Sequence, residues 1–256
     1  MYGIFIQFEQ SASFLNPMVL LGFGTLGILI GIVLWLGGAI GGRFSVGLVV
    51  LMLGILAGLC FFAFTAALII GVIVAVLAMV FKRLFTGLTA SILVMLLVVN
   101  GFQLVTGSQS QIETTESWTI QPSEDGPMSV QASLQVLKDM IQALGRAGIH
   151  DVQSVSLIRH LNVLGLFAAV GILCWLIRPM GIALCCATAG TLLIVSGLVL
   201  TLSYKGAQPV SYINTHATYA VCVAGIMSVF GTLEQLLFCR RASKRPAAKP
   251  TDKSKT

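Results

Sequence analysis

Charged residues are scarce in this sequence. Aspartate, glutamate, lysine and arginine together make up 9% of its 256 residues, whereas a soluble globular domain carries roughly 25%. Hydrophobic residues make up 57%, and positions that face lipid must be apolar. The low charge therefore excludes an ordinary soluble domain and predicts an integral membrane protein whose first partner is the lipid bilayer.

Recognised catalytic and ligand-binding patterns are also missing. The sequence contains no GxSxG, HExxH or P-loop motif, and its six cysteines form no CxxC pair. The histidines at 150, 160 and 216 and Asp151 could converge on a metal, but their spacing matches no ligand motif. We therefore expect no catalytic residues, no cofactor and no metal site, and we favour a protein that is not an enzyme.

Apolar stretches account for most of the chain, and a helix that crosses a bilayer needs about 20 such residues. Residues 44–81 contain no charge, and one straight helix of that length would measure about 57 Å. Because the hydrocarbon core is about 30 Å thick, two spans are expected there, with a turn at about 59–65. In all we predict a polytopic, all-α bundle of about seven spans, over 18–40, two within 44–81, 86–105, 161–177, 181–202 and 218–238.

The basic residues alternate with these spans. Short loops rich in lysine and arginine stay in the cytoplasm. An extracytoplasmic N-terminus and a cytoplasmic C-terminus place Arg43, Lys82, Arg83, Arg178 and the seven basic residues from Arg240 onward inside. This orientation requires an odd number of spans, and we expect the plasma membrane as the location.

The spans divide the chain into five parts. The expected order is an outer segment at 1–17, a four-span block at 18–106, an extracytoplasmic loop at 107–160, a three-span block at 161–239 and a tail at 240–256. The basic tail lacks large apolar residues and is expected to be disordered and to contact anionic lipid headgroups. No recognition pattern for nucleic acid accompanies its charges, so no nucleic-acid partner is expected.

The long loop is predicted to contain an amphipathic helix over 129–147. Apolar residues follow at spacings of four and three, which places them on one face of a helix, and Gly148 is typical of a stop. One interpretation is a lid or a helix that binds a protein partner. The favoured interpretation is a helix that lies on the bilayer surface or on the outer mouth of its own bundle. The stripe consists of Val130, Leu134, Leu137, Ile141 and Leu144.

Glycines recur at spacings that permit close helix contact. Gly27 and Gly31 form one pair in the first span, Gly54 and Gly58 form another in the second, and Gly225 lies beside small residues in the last. These faces could join two copies of the chain, so a homo-oligomer is possible. Contact within a single chain is the favoured interpretation, because several spans are present to supply partners.

A few polar and aromatic residues are candidates for special roles. Glu234 lies inside the seventh span, where an ionisable residue is a functional hypothesis by default. It could carry protons or gate a pathway. It could instead be a structural carboxylate that reaches the interface or pairs with Arg178, Arg240 or Arg241, and we favour this structural role. Trp35, Trp175, Arg240 and Arg241 lie where interface anchors occur.

Two functions follow from these features. The first is a non-enzymatic scaffold or partner-binding subunit that uses the helix at 129–147. The alternative is a small transporter or channel-like protein that uses Glu234, which a short likeness between 31–36 and 171–176 would favour if it were a true repeat. The first is slightly preferred.

Overall fold

The computed structural model describes residues 2–41, 43–61, 64–81, 85–96, 128–154 and 157–243. Helices account for nearly all of these residues, and no strand occurs among them, so the all-α prediction is confirmed. In chain order the elements are α1 (Tyr2–Ser11), a 3₁₀ turn (Ala12–Phe14), α2 (Pro17–Gly41), α3 (Arg43–Phe61), α4 (Phe64–Val80), α5 (Phe85–Leu96), α6 (Val130–Ser154), α7 (Leu157–Leu176), α8 (Arg178–Tyr204), α9 (Pro209–Thr215) and α10 (Ala217–Ser243).

Three of the described helices are long and apolar enough to cross a membrane. The qualifying segments are Pro17–Gly38 of α2, Pro179–Tyr204 of α8 and Ala217–Leu237 of α10. Large apolar side chains such as Val33 and Ile226 are about two-thirds exposed on these helices, which is costly in water and favourable in lipid. The helices indicate a membrane protein.

Three further apolar helices are shorter, and they cover Phe44–Leu59, Thr65–Val80 and Phe85–Leu96. Sixteen residues of α-helix rise about 24 Å, which is less than a hydrocarbon core of about 30 Å. In the charge-free stretch, α3 ends at Phe61 and α4 begins at Phe64, so the break between the two helices lies within the turn predicted at 59–65. The number of spans remains a prediction, and residues 97–105 of the expected fourth span lie outside the described residues.

The three long helices pack against one another with alternating directions. Gly24 of α2 lies against Gly197 of α8, and Gly31 lies against Gly190, so α2 and α8 are antiparallel. Trp35 contacts Met227 of α10, and Gly38, one turn further along α2, approaches the amide of Gln235. Since residue numbers rise together in this pair, α2 and α10 are parallel.

The helices α3 and α4 form an antiparallel hairpin. Gly54 lies against Gly71, and Gly58 lies against Ala67 nearer the turn. The α3 face opposite this contact completes the core with α2 and α8, where Val49 is buried beside Leu34 and Cys185. The hairpin thus packs on the side of the three long helices.

The helix α6 differs in two ways from the expected helix at 129–147. It continues to Ser154, and Gly206 is the only described glycine with positive φ, so Gly148 does not adopt the left-handed conformation that ends helices. The predicted stop was therefore wrong. In addition, α6 packs against a cluster near the N-terminus through a face beside its apolar stripe. That cluster consists of Phe8, Ala12, Leu15 and Leu20, and Met128, Val136, Met140 and Leu200 pack on it.

Candidate functional site

The contact between α2 and α8 is a backbone-to-backbone approach. A Cβ added to Gly31 would lie 2.9 Å from the carbonyl oxygen of Gly190 and 3.0 Å from the amide nitrogen of Ile194. A Cβ added to Gly190 would lie 2.7 Å from the carbonyl oxygen of Gly31. Backbone atoms cannot move aside as a flexible side chain can, so this contact requires glycine on both helices.

A polar contact joins α2 to α10, and we call it the α2–α10 node; it consists of Trp35, Gly38, Gly231 and Gln235. Gln235 is 1% exposed, and its Nε2 donates to the carbonyl oxygens of Leu34 at 2.9 Å and Trp35 at 2.6 Å. In the opposite direction, Trp35 Nε1 donates to the carbonyl oxygen of Met227 at 3.0 Å. Each helix therefore donates a side-chain hydrogen bond to the backbone of the other.

The two glycines of the node make these hydrogen bonds possible. A Cβ on Gly231 would lie 2.5 Å from Trp35 Nε1, so the indole ring lies directly on the backbone of α10. In a helix the side chain at position i+4 covers the carbonyl at position i. Because Gly38 has no side chain, the carbonyl of Leu34 is open to Gln235. Gln235 was not among the residues expected from the sequence to have a special role, although a glutamine in an apolar span is itself a signal that a hydrogen-bond partner is needed.

Gln235 is not fully satisfied. Its Oε1 is buried and has no hydrogen-bond partner among the described residues, and the same holds for the buried hydroxyls of Ser91 and Thr188. A buried polar atom without a partner costs about 1–3 kcal/mol. The neutral amide directs its N–H donors to backbone carbonyls of α2, so the node positions these two helices relative to each other.

Glu234 precedes this node on α10 and is partly buried. Within the described residues its carboxylate makes no hydrogen bond or ion pair. Arg178 begins α8, and Arg240 and Arg241 lie in the final turns of α10. The side chains of these arginines lie outside the described residues, as does that of Trp175, so pairing with Glu234 remains a prediction.

The glycines selected from the sequence fall into two groups. Gly27 and Gly31 face α8, and Gly54 and Gly58 face α4, all within one chain. Gly225 of α10 differs, because no atom lies within 4 Å of the position a Cβ would take. Only Gly225 among these five is open to a partner outside the described chain.

An apolar groove separates α2 from the α3–α4 hairpin. Its volume is about 470 Å³. Ser45 supplies the single polar side chain of the lining. The full lining consists of Val33, Leu34, Gly37, Gly41, Phe44, Ser45, Gly47, Leu48, Leu51, Ala75 and Met79.

Glu9 attaches α1 to α9 at the opposite end of the long helices. Its carboxylate accepts hydrogen bonds from the amides of Val210 at 2.7 Å and Ser211 at 3.3 Å, and from the Ser211 hydroxyl at 2.7 Å. These amides belong to the first turn of α9, where a helix has unsatisfied donors and favours negative charge. The first turn of α9 has no acidic residue of its own, so Glu9 of α1 supplies the negative charge there.

A second set of hydrogen bonds holds α6 at the same end. The amide of Asn16 donates to Ser133 Oγ at 2.9 Å, its side-chain amide donates to the carbonyl oxygen of Met128 at 3.3 Å, and the Met128 amide donates to the carbonyl oxygen of Phe14 at 3.0 Å. Ser133 is fully buried, whereas Val130 and Leu134 of the apolar stripe are 48% and 41% exposed. The start of the stripe thus faces away from the chain.

No group of three or more histidine, cysteine, aspartate or glutamate residues that could hold a metal occurs in the part of the chain that the structure describes. Cys174, Cys185 and Cys186 are buried as free thiols. The side chains of His150 and His160 lie outside the described residues.

These features define an all-helical protein with three apolar helices long enough to cross a membrane, held together by glycine contacts and a buried amide. No protein-family model, curated protein or solved structure matches the chain.

Proposed function

We propose that this protein is a non-enzymatic scaffold of the plasma membrane that binds another protein through α6 on the extracytoplasmic side. The proposal includes seven spans, an extracytoplasmic N-terminus, a cytoplasmic C-terminus and a basic tail that touches anionic headgroups. One combined observation supports the proposal most strongly. The helix α6 is held in place by contacts with the N-terminal part of the chain, while Val130 and Leu134, the first two residues of its apolar stripe, are exposed.

The docking of α6 supports a binding surface rather than a loosely attached helix. The backbone amide of Asn16 donates a direct hydrogen bond to Ser133 Oγ, and Val136 and Met140 pack on the N-terminal cluster. A helix positioned in this way presents Val130 and Leu134 at a defined place. Preorganised apolar residues of this kind form the centres of protein interfaces, because little ordering entropy remains to be lost on binding.

The polar groups of the long helices support a structural role. Gln235 and Trp35 direct their donors to backbone carbonyls of the neighbouring helix. A transport site needs polar groups that face a pathway, and the groove beside α2 has an apolar lining to which Glu234 does not contribute. The scaffold function is therefore preferred over transport by Glu234.

The test is site-specific cross-linking in native membranes. A photo-reactive amino acid at Val130 should yield one discrete cross-linked product with a second protein, identified by mass spectrometry. Adding Leu134→Glu should abolish this product, because a carboxylate would have to be buried at the interface. Asp139→Asn is the matched control, since Asp139 is exposed on the opposite face of the same helix.

The control should leave the product unchanged. If the reagent at Val130 forms adducts only with lipid, α6 lies in the bilayer interface and the scaffold proposal is wrong. Equal loss of the product in the Leu134 and Asp139 variants would contradict the stripe as the binding surface.

A further inference from the structure

The apolar groove beside α2 is open because a glycine, which has no side chain, lies in its wall. Gly37 lines it, and no atom lies within 4 Å of the position its Cβ would take. The walls are the side chains of Val33 and Leu48 among others, and Val33 is 67% exposed. Within a bilayer such a groove has the shape and chemistry for a hydrocarbon chain rather than for water.

A basic residue begins the helix that lines one end of the groove. The groove is lined by the last turns of α2, the first turns of α3 and the last turns of α4, which all lie at one end of the bundle. Arg43 is the first residue of α3 and directly precedes Phe44 and Ser45, which line the groove. It is the one charged residue between Glu9 and Lys82 in the sequence.

We propose that this groove binds an anionic phospholipid of the cytoplasmic leaflet, with an acyl chain between α2 and the α3–α4 hairpin and the phosphate beside Arg43. Charge complementarity selects this occupant, because a basic residue at an apolar groove end matches a molecule with an anionic head and an apolar tail. An apolar helix of a protein would fill the groove without using the charge. The assignment to the cytoplasmic leaflet rests on the orientation in the proposed function, but the binding chemistry does not.

Native mass spectrometry of the purified full-length protein tests the site. Phosphatidylglycerol and phosphatidylcholine with the same acyl chains serve as probes at equal concentration in detergent. The wild-type protein should retain one phosphatidylglycerol in preference to phosphatidylcholine. Arg43→Gln should lower phosphatidylglycerol affinity about fivefold, as expected for one basic residue near a headgroup.

Gly37→Leu should lower phosphatidylglycerol affinity about tenfold by occupying space that the acyl chain would fill. Gly22→Leu is the matched control, since Gly22 lies on the same helix with equally open space but does not line the groove. A further variant with the basic residues from Arg240 onward changed to glutamine separates this site from the tail, and it should retain the bound lipid.

Equal retention of the two lipids by the wild-type protein would overturn the proposal, because it would show only annular lipid. Unchanged binding in Gly37→Leu, or an equal loss in Gly22→Leu, would also overturn it. Loss of binding in the tail variant would assign the lipid to the tail instead. These readouts are independent of cross-linking at Val130, so failure here is distinguishable from failure of the scaffold function.

Discussion

Two helix contacts in this protein use glycine in different ways. The three-helix unit (α2, α8 and α10) joins segments far apart in the chain, and the hydrogen bonds of Gln235 to α2 cross about 200 residues of sequence. The α3–α4 hairpin joins neighbours, and Gly54 meets Gly71 across one short turn.

The difference follows from how helices associate in lipid. Burial of apolar surface gives little attraction between helices there, because lipid tails are as apolar as leucine. Connectivity holds α3 and α4 together at small entropic cost, so close packing suffices. The helix α2 is far from α8 and α10 in the sequence, so no short connection holds it to them. In addition to glycine contact, directional hydrogen bonds at the α2–α10 node fix the register of α10 against α2.

The largest effect is expected for Gly31→Leu. Its new side chain would meet the backbone of Gly190 and Ile194, and overpacking of this kind costs about 1–3 kcal/mol or more. We expect a clear loss of thermal stability, measured by the fluorescence of Trp35 in a variant with phenylalanine at positions 118 and 175. Gly22→Leu on the same helix should melt like the parent, and equal destabilisation of the two would remove the distinction between packed and open glycines.

Gly58→Leu should have the next largest effect but act on the hairpin. A Cβ there would lie 2.7 Å from the Cα of Ala67, so α3 and α4 must separate near their turn at a cost of about 1–3 kcal/mol. Hydrogen exchange should increase in α3 and α4 and stay low in α2 and α8. If exchange rises equally in all four helices, the hairpin is not a separate unit.

Gln235→Leu should have a smaller effect. It removes two hydrogen bonds, and interhelical bonds in membranes are worth about 0.6–2 kcal/mol, but it also removes the unpartnered Oε1. We expect a small loss of stability and a red shift of Trp35 emission as α10 loosens. Gln235→Glu serves as a comparison, because its carboxylate would face two carbonyl oxygens if ionised and should destabilise more. A neutral result for both variants would show that glycine contact alone fixes α10.

The smallest effect is expected for Glu234→Gln. Its carboxylate has no partner among the described residues, so loss of charge should leave stability and cross-linking at Val130 unchanged. Cell growth and ion flux should also match wild type. Impaired flux with normal folding would favour the transport function over the scaffold.

Hydropathy predicted the bounds of two apolar helices to within a few residues, whereas α7 begins at Leu157 and α10 continues to Ser243, beyond the segments expected at 161–177 and 218–238. The segment expected at 18–40 is α2 (Pro17–Gly41), and the segment expected at 181–202 lies within α8 (Arg178–Tyr204). The turn at 59–65 followed from the fixed rise of a helix and the thickness of a bilayer. These inferences need only local composition.

The contacts themselves could not be predicted, because their partners are distant in sequence. The stripe on α6 indicated the face with most apolar residues, but the docked face includes Ser133, whose hydroxyl bonds to the chain near Asn16. Polar docking of this kind gives no hydropathy signal. The charge of Glu234 made it a candidate from the sequence, but its neutral neighbour Gln235 makes the hydrogen bonds that join α10 to α2.

The pairing of α2 with α8 has a consequence for biosynthesis. Gly190 follows Gly31 by 159 residues, which takes roughly 8–32 s to translate at about 5–20 residues per second. During that interval the hairpin can close, but the glycine face of α2 has no partner of its own chain. The newly made α2 must therefore remain without this contact until α8 is synthesised, and its glycine face is accessible to a membrane chaperone during that interval.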